Sequence, residues 1–123
     1  MQKNLLFLST RKGLVIYKRS ENLWEYHSTT FNGIPVTLAY VDERTNTWWA
    51  CLDHGHWGIK LHKSIDQGQN WEEIEAPKYP EGLEIKDGIP ASNKYIWAFT
   101  GGGNDHPNKL LVGTIPGASA LHR

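Results

Sequence analysis

Asp53-His54-Gly55-His56-Trp57 gathers the residue types most able to do chemistry in this chain of 123 residues. His54 and His56 are two positions apart, so on an extended backbone they share a side, and with Asp53 nearby they could hold a metal ion. The same residues also suit a polar turn, in which Asp53 and the histidines satisfy backbone groups while Gly55 and Gly58 shape the chain. No third ligand stands at a suitable spacing, so the sequence requires no metal or other cofactor. Any metal it did hold would fall to His54 and His56. Cys51 lies inside an apolar run and reads as a small buried hydrophobe rather than a nucleophile. The run Gly101-Gly102-Gly103-Asn104-Asp105-His106 lacks the strand–loop–helix setting of a phosphate loop and reads as a flexible turn.

These residues need elements to position them, and the periodicity predicts strands. Short alternating or apolar runs bounded by Gly, Pro, Asn and Asp fall at 4–10, 13–18, 23–28, 36–41, 47–52, 58–63, 71–75, 94–100, 109–114 and 118–122. No segment of helical length repeats apolar residues at three- and four-residue spacing, and Leu83-Glu84-Ile85 could supply one turn at most. The segment 76–92, with Pro77, Pro80, Gly82, Gly88 and Pro90, reads as a long connection. The expected class is all-β, in a single segment spanning 1–123.

Composition excludes several functions. Thirteen basic and thirteen acidic residues give a formal net charge of zero, which argues against a nucleic-acid partner, since phosphate-backbone binding needs a basic surface. No window approaches the ~18–20 apolar residues of a membrane-spanning helix, so no membrane partner is expected. The first residues offer only Leu5-Leu6-Phe7-Leu8 as an apolar stretch and no small-residue cleavage site, which points to the cytoplasm. One cysteine excludes an internal disulfide framework and a multi-cysteine zinc site.

The runs from Leu5, Trp48 and Leu110 repeat one order: apolar strand, polar turn at or near Gly, second strand. In the first two a Trp follows, and Trp24 and Trp71 lie 47 residues apart, within the ~40–50-residue period of four-stranded propeller blades. Ser64-Ile65-Asp66-Gln67-Gly68-Gln69-Asn70-Trp71 reads S-x-D-x-G-x-x-W. Asp66 can fold its carboxylate back onto amides of its own turn, Gly68 can take a positive φ, and Trp71 can cover apolar surface between blades. This octapeptide resembles the Asp-box, or bacterial neuraminidase repeat, of β-propellers such as sialidases. Arg19-Ser20-Glu21-Asn22-Leu23-Trp24 resembles a decayed copy without the Asp and the Gly. The resemblance covers nearly the whole chain to about Gly117 and extends to bacterial cytoplasmic propellers with glycosyl-hydrolase-like labels.

The resemblance implies a partial β-propeller of four-stranded antiparallel blades. Residues 1–34 would give the outer three strands of one blade, 35–75 a complete blade with its box at 64–71, 76–92 the long connection, and 93–123 the start of a third blade. The box residues Ser64, Asp66, Gly68 and Trp71 would be structural. A closed propeller needs ~4–8 blades, so self-association or further blades would cover the open edges, and the stop at Arg123 is expected of a fragment. Relatives place ligands on the face opposite the boxes. There the expected site comprises Arg11, Asp53, His54, His56, Trp57 and Tyr79, with Trp57 and Tyr79 as sugar-stacking platforms. The expected function is a ligand-binding or scaffold module for a carbohydrate or other small polar ligand. The alternative is a sialidase-related hydrolase, active only as the complete propeller. Glycoside hydrolysis asks for two facing carboxylates; Asp53, Glu81, Glu84 and Asp87 are available, no spacing selects a pair, and no catalytic residue is assigned.

Overall fold

The computed structural model describes residues 4–55, 58–75, 84–86, 89–90, 95–106, 109–115 and 118–122. Among them are twelve strands and no α-helix: β1 (Leu5–Thr10), β2 (Gly13–Ser20), β3 (Leu23–Thr30), β4 (Val36–Asp42), β5 (Thr47–Asp53), β6 (Ile59–Ser64), β7 (Glu72–Ile74), β8 (Glu84–Lys86), β9 (Ile89–Pro90), β10 (Tyr95–Gly101), β11 (Lys109–Ile115) and β12 (Ala118–His122). All pairings are antiparallel between chain neighbours, as short connections favour. The chain is all-β: a complete four-stranded sheet, β4-β5-β6-β7, stands between the three-stranded sheets β1-β2-β3 and β10-β11-β12.

One local expectation is corrected. Leu83-Glu84-Ile85 offered at most a helical turn, whereas Glu84–Lys86 is a strand paired with Ile89–Pro90. Three residues cannot nucleate a helix alone, and the intervening Asp87-Gly88 dipeptide is a strong hairpin signal. The β2–β3 hairpin solves its turn without glycine, since Glu21 and Asn22 both take positive φ, 51° and 69°. That is the pattern of a type I′ turn, whose twist matches the strands it joins.

The core follows from strand alternation in β5. Trp48, Ala50 and Leu52 are buried in one cluster with Leu14 and Ile16 of the first sheet. Trp49 and Cys51 are buried in a second cluster with Ile96, Phe99, Leu110 and Val112 of the third sheet. Successive residues of one strand thus belong to two different cores, because successive side chains leave opposite faces of a sheet. Phe7 meets Trp48 edge-on at 4.9 Å between ring centroids, and Phe99 lies 5.4 Å from Trp49 on the other side. These are favourable aromatic geometries that add to area burial.

Polar contacts fasten β4 to the third sheet. The Thr37 hydroxyl lies 3.1 Å from both the Cys51 and the Ile96 carbonyl oxygens, and Gly101 N–H donates to the Tyr40 hydroxyl at 3.1 Å. Arg44, in the β4–β5 turn, spans Asp42 through Nε and Nη2 at 2.9 and 2.7 Å. Its Nη1 donates to the carbonyls of Gly103 and His106 at 2.6 and 2.8 Å, and Nη2 reaches that of Lys109 at 3.1 Å. Asp42 is fully buried, so the paired guanidinium supplies the compensation an interior carboxylate requires.

Truncating either tryptophan should empty one inter-sheet core. Trp48→Ala and Trp49→Ala should each lose about 3–5 kcal/mol of unfolding free energy in urea titrations, the usual cost of removing a large buried aromatic.

Candidate functional site

Strand direction sorts the connections to two ends of the sheets. The β1–β2 hairpin, the 31–35 connection and the β5–β6 turn share one end. The β4–β5 turn, the β6–β7 turn and the β10–β11 loop share the other.

At the first end, main-chain bonds draw three connections together. Gly33 N–H donates to the Lys12 carbonyl and Asp53 N–H to the Pro35 carbonyl, both at 3.0 Å. Phe31 and Gly33 reach these positions with φ of 57° and 81°. Asp53 Oδ1 accepts from Gly55 N–H at 2.9 Å, an Asx-type turn that the short carboxylate makes onto its own loop. His54 N–H donates to the Gly58 carbonyl and Gly58 N–H to that of Gly55, both at 2.9 Å. The result is a shallow recess of about 280 Å³ lined by Gly33, Ile34, Pro35, Asp53, His54 and Gly55.

Asp53 and His54 are therefore brought together, half-buried, at the mouth of this recess. Arg11 is exposed on the adjoining hairpin, whose Lys12 carbonyl holds Gly33, and it does not line the recess. His56, Trp57 and Tyr79 lie outside the described residues, as do Glu81 and Asp87. No group of three His, Cys, Asp or Glu side chains able to hold a metal occurs among the described residues. No helix among them is long and apolar enough to cross a membrane.

Sequence reasoning missed what lies beneath the turn. The ring of Phe31 packs edge-on between His62 and Trp71, at centroid distances of 5.0 and 5.1 Å. Burial lowers the His62 imidazole from its ordinary pKa; Glu73 opposes the shift, while His54 and Lys60 add to it. His62 Nδ1 is buried without a hydrogen-bond partner among the described residues. Nothing in the local sequence marks Phe31 as the contact, because the pairing is set by the connection between sheets.

At the opposite end, the octapeptide turn satisfies its own polar groups. The Ser64 hydroxyl donates to Asp66 Oδ1 and accepts from Gly68 N–H, both at 2.8 Å. Asp66 Oδ1 accepts from Asn70 N–H at 2.9 Å, and Oδ2 from the Asn70 side-chain amide at 2.8 Å. Gly68 has φ of 84°, and a Cβ there would stand 2.7 Å from the Trp48 ring, so the turn lies flat on the core. Trp71 joins the cluster between the first and middle sheets. Sequence reading gave no place to Asn70, although it donates two bonds to Asp66.

No protein-family model matches this chain, and no curated protein matches it.

The turn carries an acid signature. Hydrogen bonds from the Asn70 backbone and side chain, then from Ser64, lower the Asp66 carboxyl to about 2. The stabilisation from ionised Asp66 is complete above the ordinary carboxylate range near pH 4 and is lost as pH falls towards about 2. In thermal melts between pH 5 and 2, Asp66→Asn should therefore show a flatter decline than the parent. The Cys51 thiol is pushed up to about 12 by burial. It should resist alkylation at pH 8 in the folded chain and react once denaturant is added.

Proposed function

We propose that this chain is a propeller-type binding module whose ligand, a carbohydrate or other small polar molecule, sits at the end of the sheets carrying Arg11, Asp53 and His54. The observation that carries the reading is the recess at 33–35 and 53–55, where a half-buried carboxylate and an imidazole share one concave wall fixed by main-chain bonds. A carboxylate accepts from sugar hydroxyls and an imidazole both accepts and donates, which are the few oriented polar groups such sites use. Arg11, exposed beside the recess, would add charge recognition for an acidic ligand.

The propeller reading rests on the flanked four-stranded sheet together with the S-x-D-x-G-x-x-W turn, whose bonds staple β6 to β7. Hydrolysis of a glycoside would need a second carboxylate ~5–10 Å across a shared cleft. Asp53 is the one carboxylate among the described residues lining the recess, which favours binding over turnover. A reducing cytoplasm suits the single buried thiol of Cys51.

Titration of isotope-labelled protein with a panel of neutral and acidic sugars tests this reading. Chemical-shift changes are expected at 11–12, 33–35 and 53–55. His54→Ala and Asp53→Asn should each weaken binding by ~10-fold or more, the worth of one hydrogen bond to a polar ligand. Shifts confined to other surfaces, or release of free sugar with turnover, would overturn it.

A further inference from the structure

Of the eight asparagines in the chain, only Asn32 is followed by glycine. In that dipeptide the asparagine side chain reacts most readily with the backbone after it, because glycine has no side chain to shield the attacking nitrogen. The Gly33 backbone nitrogen attacks the Asn32 side-chain carbonyl carbon. A C–N bond forms, the bond from that carbon to the amide nitrogen breaks, and ammonia leaves with the proton from the Gly33 nitrogen. Water then opens the five-membered imide at either carbonyl, leaving aspartate or isoaspartate.

The fold decides whether that nitrogen is free to attack. Residues 31–34 form a β-turn closed by Ile34 N–H, which donates to the Phe31 carbonyl at 3.0 Å. Gly33 takes φ of 81° at the third position, and Asn32 before it is not among the residues of positive φ. That is the type II form. The Gly33 N–H donates to the Lys12 carbonyl of the β1–β2 hairpin at 3.0 Å. Asn32 itself is exposed, so water reaches its amide, but the attacking nitrogen is occupied. Ring closure needs rotation about the Asn32 Cα–C bond and a nitrogen released from its acceptor, and both require the turn to leave Lys12. The Phe31 ring anchors the turn from its other side, 5.0 Å from His62 and 5.1 Å from Trp71.

We propose that Asn32 is a self-modifying site gated by the fold: it deamidates through the imide when the 31–34 turn releases the Lys12 carbonyl, and stays intact while that bond holds. Local opening of this kind is what exposed connections undergo within an otherwise intact structure. Isoaspartate routes the main chain through the former side chain and adds one backbone atom, a length that the turn and its bond to Lys12 cannot both absorb. Gly33, Ile34 and Pro35 form one wall of the recess, so a single conversion opens that wall irreversibly. The proposal concerns the main chain of the wall and does not rest on the binding function.

Mass spectrometry of the full chain held in mildly alkaline buffer, folded and in denaturant, tests the proposal. The amide-to-acid mass gain should map to residue 32 and form at least ~10-fold more slowly in the folded chain, as expected where reaction waits on local opening. Amide exchange at Gly33 in the folded parent should show protection of the same order, because both reactions wait on one hydrogen bond. Asn32→Gln should remove the gain, since its longer side chain closes a less favourable ring. Phe31→Ala should speed conversion with an unchanged near-UV spectrum; should that variant unfold, the exchange comparison in the parent decides. The isoaspartyl form, separated by chromatography, should lose protection at Gly33. Equal rates in the folded and denatured chains would overturn the proposal, as would an unprotected Gly33 amide, a gain that survives Asn32→Gln, or a folded Phe31→Ala chain no faster than the parent.

Discussion

Strand β5 has almost no solvent side. From Thr47 to Leu52 every residue is buried, and alternate side chains enter different cores. A sheet built on such a strand must be covered twice, which fixes the order of the three stacked sheets before any loop is considered. Trp48 and Trp49 set the spacing on either side. Removing water from two adjacent indoles is the largest apolar gain available to so short a segment, and it explains why both neighbours use Leu, Ile and Phe to meet them.

The two ends of the sheets are held differently. At one end, side chains do the fastening: Arg44 draws the β10–β11 loop onto the middle sheet, and Ser64, Asp66 and Asn70 close the β6–β7 turn over Trp48. At the other end, main-chain bonds carry the connections, as between Lys12 and Gly33 or Pro35 and Asp53. Arg11 is exposed and the His54 side chain half-buried at that end.

Much of the framework was legible because the relevant interactions are local. The apolar run at 47–52, the turn residues between strands and the spacing of Ser64, Asp66, Gly68 and Trp71 all act within a few residues, so their pattern survives in one dimension. The β8 strand was not legible, since three residues carry too little periodicity to separate a turn from a strand. At the candidate site, Asp53 and His54 stood out by residue type, whereas Gly33, Ile34 and Pro35, which form the other wall, have no chemistry to announce them. Phe31 against His62 was hidden for the same reason.

By itself the sequence determined the class of the protein: short alternating or apolar strands joined by tight turns. Tertiary structure alone decided which distant groups complete each other. Arg44 finds its carbonyl partners 59 to 65 positions away, and Thr37 bridges Cys51 to Ile96 across two sheets. The reason is one of distance along the chain. Backbone sterics and side-chain alternation act over two to four residues and leave a readable period, while contacts between sheets depend on how three twisted surfaces stack, which no local pattern encodes.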